Sequence, residues 1–132
     1  MSVIFFDLYF EGNPLTSKIF GDGDEAIAAL QSEAKKAPHF VELRSNKDTK
    51  LLIGLGSGKG CAQFSSLSGD PPYLMACLPE QRNMSGSEWF YISGELSEVP
   101  CRYCVPLSTV LEVVRYFVDT GGQSGAVEWD EI

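Results

Sequence analysis

The chain has 132 residues, 44 % of them apolar and 21 % charged, enough for one domain that buries about two thirds of its unfolded surface and too apolar for a disordered segment. Its 18 acidic and 10 basic side chains give a net charge of −8, which disfavours direct binding to a phosphate backbone. The charge is uneven, with ten acids and eight bases in residues 1–87 but eight acids and two bases in residues 88–132, and a field of that sign speeds association with a basic partner.

Val3 to Phe10 is rich in β-branched and aromatic residues and reads as a first strand, ended by Gly12-Asn13-Pro14. The strand is broken by Asp7 and lacks a basic flank or a small-residue cleavage site, so neither a membrane span nor export is expected, and the cytoplasm is the expected location. Asp22 or Asp24 then caps a helix predicted over Asp24 to Lys36, with Ile27, Leu30, Ala26 and Ala34 as its apolar stripe. Pro38 stops it.

From Phe40 to about Leu96 turn signals recur every eight to twelve residues, the spacing of a meander of short strands. Phe40–Arg44, Leu51–Leu55, Cys61–Ser65, Tyr73–Leu78 and Trp89–Ile92 are the predicted strands. Turns fall at Asn46–Asp48, Gly56–Gly60 and Ser68–Pro72, and Pro79–Ser87 is the longest polar loop. Leu107, Val110, Leu111, Val114, Phe117 and Val118 repeat at 3.6 residues and predict a second helix, with Pro106 in its first turn and Gly121-Gly122 as its stop. A last strand is expected at Ala126–Trp129. The pattern is α+β, a single domain over residues 1–132 with a largely antiparallel sheet of about six to seven strands and an N-terminal and a C-terminal helix packed on it.

Motifs that invite a chemical reading are weak. Gly54-Leu55-Gly56-Ser57-Gly58-Lys59-Gly60 resembles a phosphate loop, but Ile53 stands where the motif needs its first glycine and Gly60 where it needs a hydroxyl. A glycine-rich hairpin between two strands accounts for it. Cys101-Arg102-Tyr103-Cys104 is a C-x-x-C shortly before a helix, where a thiol pKa can be lowered. With Cys61 and Cys77 it could also form a four-thiolate zinc site. The plain alternative is reduced, partly buried cysteines without a function. The one histidine, His39, lies at a helix-to-strand junction with no nucleophile motif near it. No catalytic set, cofactor or metal is therefore expected, and the chain reads as a binding protein rather than an enzyme. Among Tyr73, Trp89, Phe90 and Tyr91, alternation along a strand sends one subset to the core and leaves another outside, where exposed Tyr and Trp are interface anchors.

Val105-Pro106-Leu107, Val110, Val114, Phe117, Thr120-Gly121 and Val127-Glu128-Trp129 together resemble the closing segment of Imm1 immunity proteins, and the strand pair Leu51–Ser65 is similar to their middle region. Ser124-Gly125 stands where the family often has a proline. The resemblance implies a protein that binds a cognate toxin domain and blocks its active site, the toxins including nucleases and cytidine deaminases. It also implies that Phe117 and Trp129 are structural, Trp129 closing a sheet edge. The partner expected is a basic toxin protein, with no direct nucleic acid and no membrane. The contact is expected on the Pro79–Glu88 loop and its surroundings, through Tyr73, Glu80, Arg82, Glu88, Tyr91 and Glu95. Two other readings stay open: a thiol or zinc module on Cys101 and Cys104, and a structural subunit of a larger assembly.

Overall fold

A computed structural model describes residues 3–8 and 18–132. Its elements are β1 (Val3–Asp7), β2 (Lys18–Phe20), α1 (Gly23–Glu33), β3 (His39–Arg44), β4 (Thr49–Leu55), β5 (Lys59–Ser66), β6 (Leu74–Cys77), β7 (Ser87–Ile92), β8 (Glu95–Pro100), β9 (Val105–Pro106), α2 (Leu107–Thr120) and β10 (Glu128–Glu131). Short 3-10 turns occupy Pro79–Gln81 and Cys101–Tyr103. The class is α+β with a large, mainly antiparallel sheet, as expected, but among the described residues the sheet has ten strands and not six or seven. Nor do the helices mark the two ends, since α1 follows two strands and α2 is followed by β10. The strands missed from sequence are β2, β8 and β9. Three and two residues are too short for a period to show in β2 and β9, and β8 carries four polar or proline residues among six. The Gly12-Asn13-Pro14 turn lies outside the described residues.

The sheet runs β10-β6-β5-β4-β3-β1-β2. Alternation along its central strands buries both of its faces. Val41, Leu43, Leu51, Ile53, Leu55, Ala62 and Ala76 point to one side, where they meet Ala26 and Leu30 of α1 and Val110, Val113, Val114, Phe117 and Val118 of α2. Phe40, Cys61, Met75 and Cys77 point to the other, where they meet Phe90 of β7, Val99 of β8 and Tyr103.

Each helix is set by the signals its sequence carries. Asp22 caps α1, accepting the Glu25 N–H at 2.9 Å, and the helix ends at Glu33, three residues before Lys36. At the other end of the chain, α2 stops where Gly121 takes a left-handed conformation and donates its N–H to the Phe117 carbonyl at 2.7 Å. The two helices are pinned to each other by the Gly23 N–H on Asp119 Oδ1 (3.1 Å) and by an ion pair between Asp24 and Arg115. Burial of the α2 stripe contributes on the order of several kcal/mol.

The second face is covered by a hairpin. Ser93 and Gly94, both at positive φ, form a two-residue turn joining β7 to β8, the geometry whose twist suits antiparallel strands. β7 runs parallel to β3 at His39↔Tyr91 and takes over the edge that β1 leaves, held by Tyr91 N–H on the Pro38 carbonyl (2.8 Å) and Ser93 N–H on the Leu8 carbonyl (2.7 Å). Gly54 makes the approach possible. A side chain there would place its Cβ 2.7 Å from Cys61 Sγ and 3.1 Å from the Phe90 ring. Without it, Phe90 lies on the sheet and against Phe40, ring centroids 5.5 Å apart.

Candidate interaction surface

The hairpin has an inner and an outer face. Residues directly opposite in an antiparallel pair share a side, and the register pairs Trp89 with Glu98 and Tyr91 with Leu96. Phe90 and Val99, which alternate with these, are buried against the sheet. The other four therefore form the outer face, where Trp89 is 52 % and Leu96 53 % exposed. Glu95 stands exposed at the tip. Residues 87–100 contain three acids and no base. Glu88 is 3.7 Å from Lys59 on neighbouring β5, whereas among the described residues neither Glu95 nor Glu98 is in an ion pair. Beside Trp89 a hollow of about 340 Å³ opens over the β4–β5 turn, lined by Pro38, Gly56, Ser57 and Lys59.

Of the six contact residues expected from sequence, the structure places Glu88, Tyr91 and Glu95 on this hairpin, Tyr91 on its outer face and Glu88 and Glu95 at positions that alternate with it. The other three lie elsewhere. Tyr73 donates its hydroxyl to the Gly69 carbonyl, and its own carbonyl accepts the Ile132 N–H. Glu80 is exposed in the 3-10 turn that precedes Arg82. Arg82 is a clamp: its guanidinium holds Glu128 at 2.6 Å and Asp130 at 2.9 Å on β10, and the two carboxylates raise its pKa further above the usual arginine value. Missed from sequence were Leu96 and Glu98. Ser93-Gly94 between two apolar-containing runs was the signal that could have found them.

Phe117 is fully buried, and its ring meets Phe64 edge-on at 6.2 Å. Trp129, on edge strand β10, packs edge-on against the same Phe64 at 6.1 Å and donates its indole N–H to the Ser124 carbonyl at 2.9 Å.

The thiols are arranged for packing. Cys61, Cys77 and Cys104 are buried and Cys101 is half-buried, all four reduced. Burial pushes the Cys61 thiol up to about 12 and the Cys104 thiol up to about 11, and raises Cys77 as well. Such thiols form little thiolate at neutral pH and are poor nucleophiles and ligands. Among the described residues no group of three or more His, Cys, Asp or Glu is placed to hold a metal ion. His39 is fully buried, with Nδ1 donating to the Ala37 carbonyl at 2.8 Å and Nε2 3.8 Å from Glu33 Oε2. Between the hairpin and the sheet lies a mainly apolar groove of about 370 Å³, floored by Phe40, Met75, Val99 and Tyr103. None of the described helices is long and apolar enough to cross a membrane.

No curated protein matches the chain. The family model described as immunity protein Imm1 matches residues 11–131, so the match takes in α1, α2, the hairpin and nine of the ten described strands. The chain belongs to the Imm1 family of immunity proteins.

Proposed function

We propose that this chain neutralises a basic, nucleic-acid-acting toxin, a nuclease or a deaminase, by binding the toxin domain and covering its active site in the cytoplasm of the producing cell. The family implies a toxin-immunity role and a cognate toxin protein as partner. The observation that carries the finer reading is the charge split: residues 88–132 hold eight acids against two bases. An enzyme that acts on nucleic acid presents cationic surface around its active site, and an acidic inhibitor complements that surface without any chemistry of its own. Glu88, Tyr91 and Glu95 on the hairpin, and Tyr73, Glu80 and Arg82 elsewhere on the chain, are the proposed contacts.

The test is co-expression with the toxin domain encoded beside this gene. Restored growth and a stable complex are expected, and the complexed toxin should no longer bind its nucleic-acid substrate. Raising salt should slow association more than it speeds dissociation. Failure to restore growth or to form a complex would remove the immunity reading, and a complex that still binds substrate would remove the occlusion mechanism.

A further inference from the structure

We infer that the toxin is gripped by the outer face of the β7–β8 hairpin, with Trp89, Tyr91 and Leu96 as an apolar centre, Glu98 charged beside them on the same face and Glu95 charged at the adjoining tip. The inference rests on the proposed immunity function and names the surface that carries it. Trp89 and Leu96 are each more than half exposed, and the register places Leu96 across from Tyr91 and Glu98 across from Trp89 on one side of the hairpin. Isolated exposed apolar residues are ordinary; a Trp and a Leu flanking a Tyr on one two-stranded face form a patch. Trp and Tyr anchor interfaces because they add large contact area at low entropic cost and dock into partner pockets. The hollow next to Trp89 offers room for a partner side chain.

The scaffold under the patch is firm. Phe90 and Val99, buried directly beneath it, tie the hairpin to the sheet, so little ordering is required on binding. Charge selects the occupant. Glu95 and Glu98 are uncompensated among the described residues, and a second copy of this acidic surface placed against the first would bring like charges together. A basic surface of the toxin fits instead: cationic side chains around an apolar pocket or ridge that receives Trp89.

The experiment uses the full chain and the toxin domain encoded beside it, with binding measured by titration calorimetry. The variants are Trp89→Ala with Leu96→Ala, Glu95→Lys with Glu98→Lys, and, as a control at exposed apolar positions elsewhere, Ile19→Ala with Tyr116→Ala. The hairpin pairs should weaken binding a hundredfold or more with circular dichroism unchanged, and the control pair less than threefold. Trp89 fluorescence in a Trp129→Phe background should lose its accessibility to acrylamide when the toxin is added. Wild-type binding that survives both hairpin pairs, or a quenching that the toxin leaves unchanged, overturns the hairpin as the grip while leaving the immunity function standing. Absence of any complex with the wild-type chain overturns both. A wild-type chain that dimerises through this face, with dimerisation lost in the Trp89→Ala, Leu96→Ala pair, overturns the choice of occupant.

Discussion

Two apolar surfaces of this molecule do opposite things. The stripe on α2, from Val110 to Val118, is closed off against the sheet and α1. The outer face of the β7–β8 hairpin keeps Trp89 and Leu96 in solvent. The first surface gives its free energy to folding. The second withholds it, and the inner residues Phe90 and Val99, with the backbone bonds of Tyr91 and Ser93, hold the hairpin down. Exposed aromatic area here is held in reserve on a rigid support.

Four perturbations tell the two surfaces apart. The largest effect on stability is expected from Phe117→Ala, which empties a fully buried site against Phe64 and should cost about 3–5 kcal/mol in denaturant unfolding, with the toxin affinity of the folded fraction unchanged. Trp89→Ala should do the reverse: toxin binding should fall by tenfold or more on its own, while unfolding free energy stays within about 0.5 kcal/mol of the parent, as for other surface substitutions.

Between the two lies Gly54→Ala, whose methyl group meets Cys61 Sγ and the Phe90 ring. Overpacking of this kind costs about 1–3 kcal/mol. Because it pushes on the hairpin's footing, it should weaken both stability and toxin binding, a combination neither of the other variants shows.

The smallest effect is alkaline. The Cys61 thiol goes from its ordinary 9.0 up to about 12 in the fold, so the unfolded chain releases its proton first. The stability it contributes is complete below pH 9 and is lost as pH rises from 9 towards about 12. Denaturant midpoints measured at pH 8, 10 and 11 should fall in that order, and less steeply in Cys61→Ala. Alkylation by iodoacetamide at pH 8 should reach half-buried Cys101 well before Cys61 or Cys104.

How much of this could be read from sequence follows from where the periodicity is long enough to see. The helix α2 is plain in its six apolar positions, and the stop at Gly121 matches the left-handed cap found there. Strands β3 to β7 were located because their cores are apolar and their turns are marked by glycine, asparagine or proline. β8 was passed over: Glu95, Ser97 and Glu98 in its first four residues read as loop, although the Ser93-Gly94 turn ahead of it announced a hairpin. That omission also hid half of the interaction surface, since Leu96 and Glu98 complete the face that Trp89 and Tyr91 begin. Arg82 shows the complementary difficulty. Its neighbours in the loop say nothing of the carboxylates it finds 46 and 48 residues away on β10. The C-x-x-C pattern likewise carried no information on burial, which is what sets the thiols' reactivity.

Hydroxyl-radical footprinting of the wild-type chain, with and without the toxin domain encoded beside it, tests the hairpin as the toxin-binding surface. Trp89, Tyr91 and Leu96 should become protected in the complex, while Ile19 on β2 and Tyr116 on α2, both exposed in the free chain, should be modified at unchanged rates. Protection confined to β2 or to the exposed side of α2, with Trp89 and Leu96 as reactive as before, would contradict it.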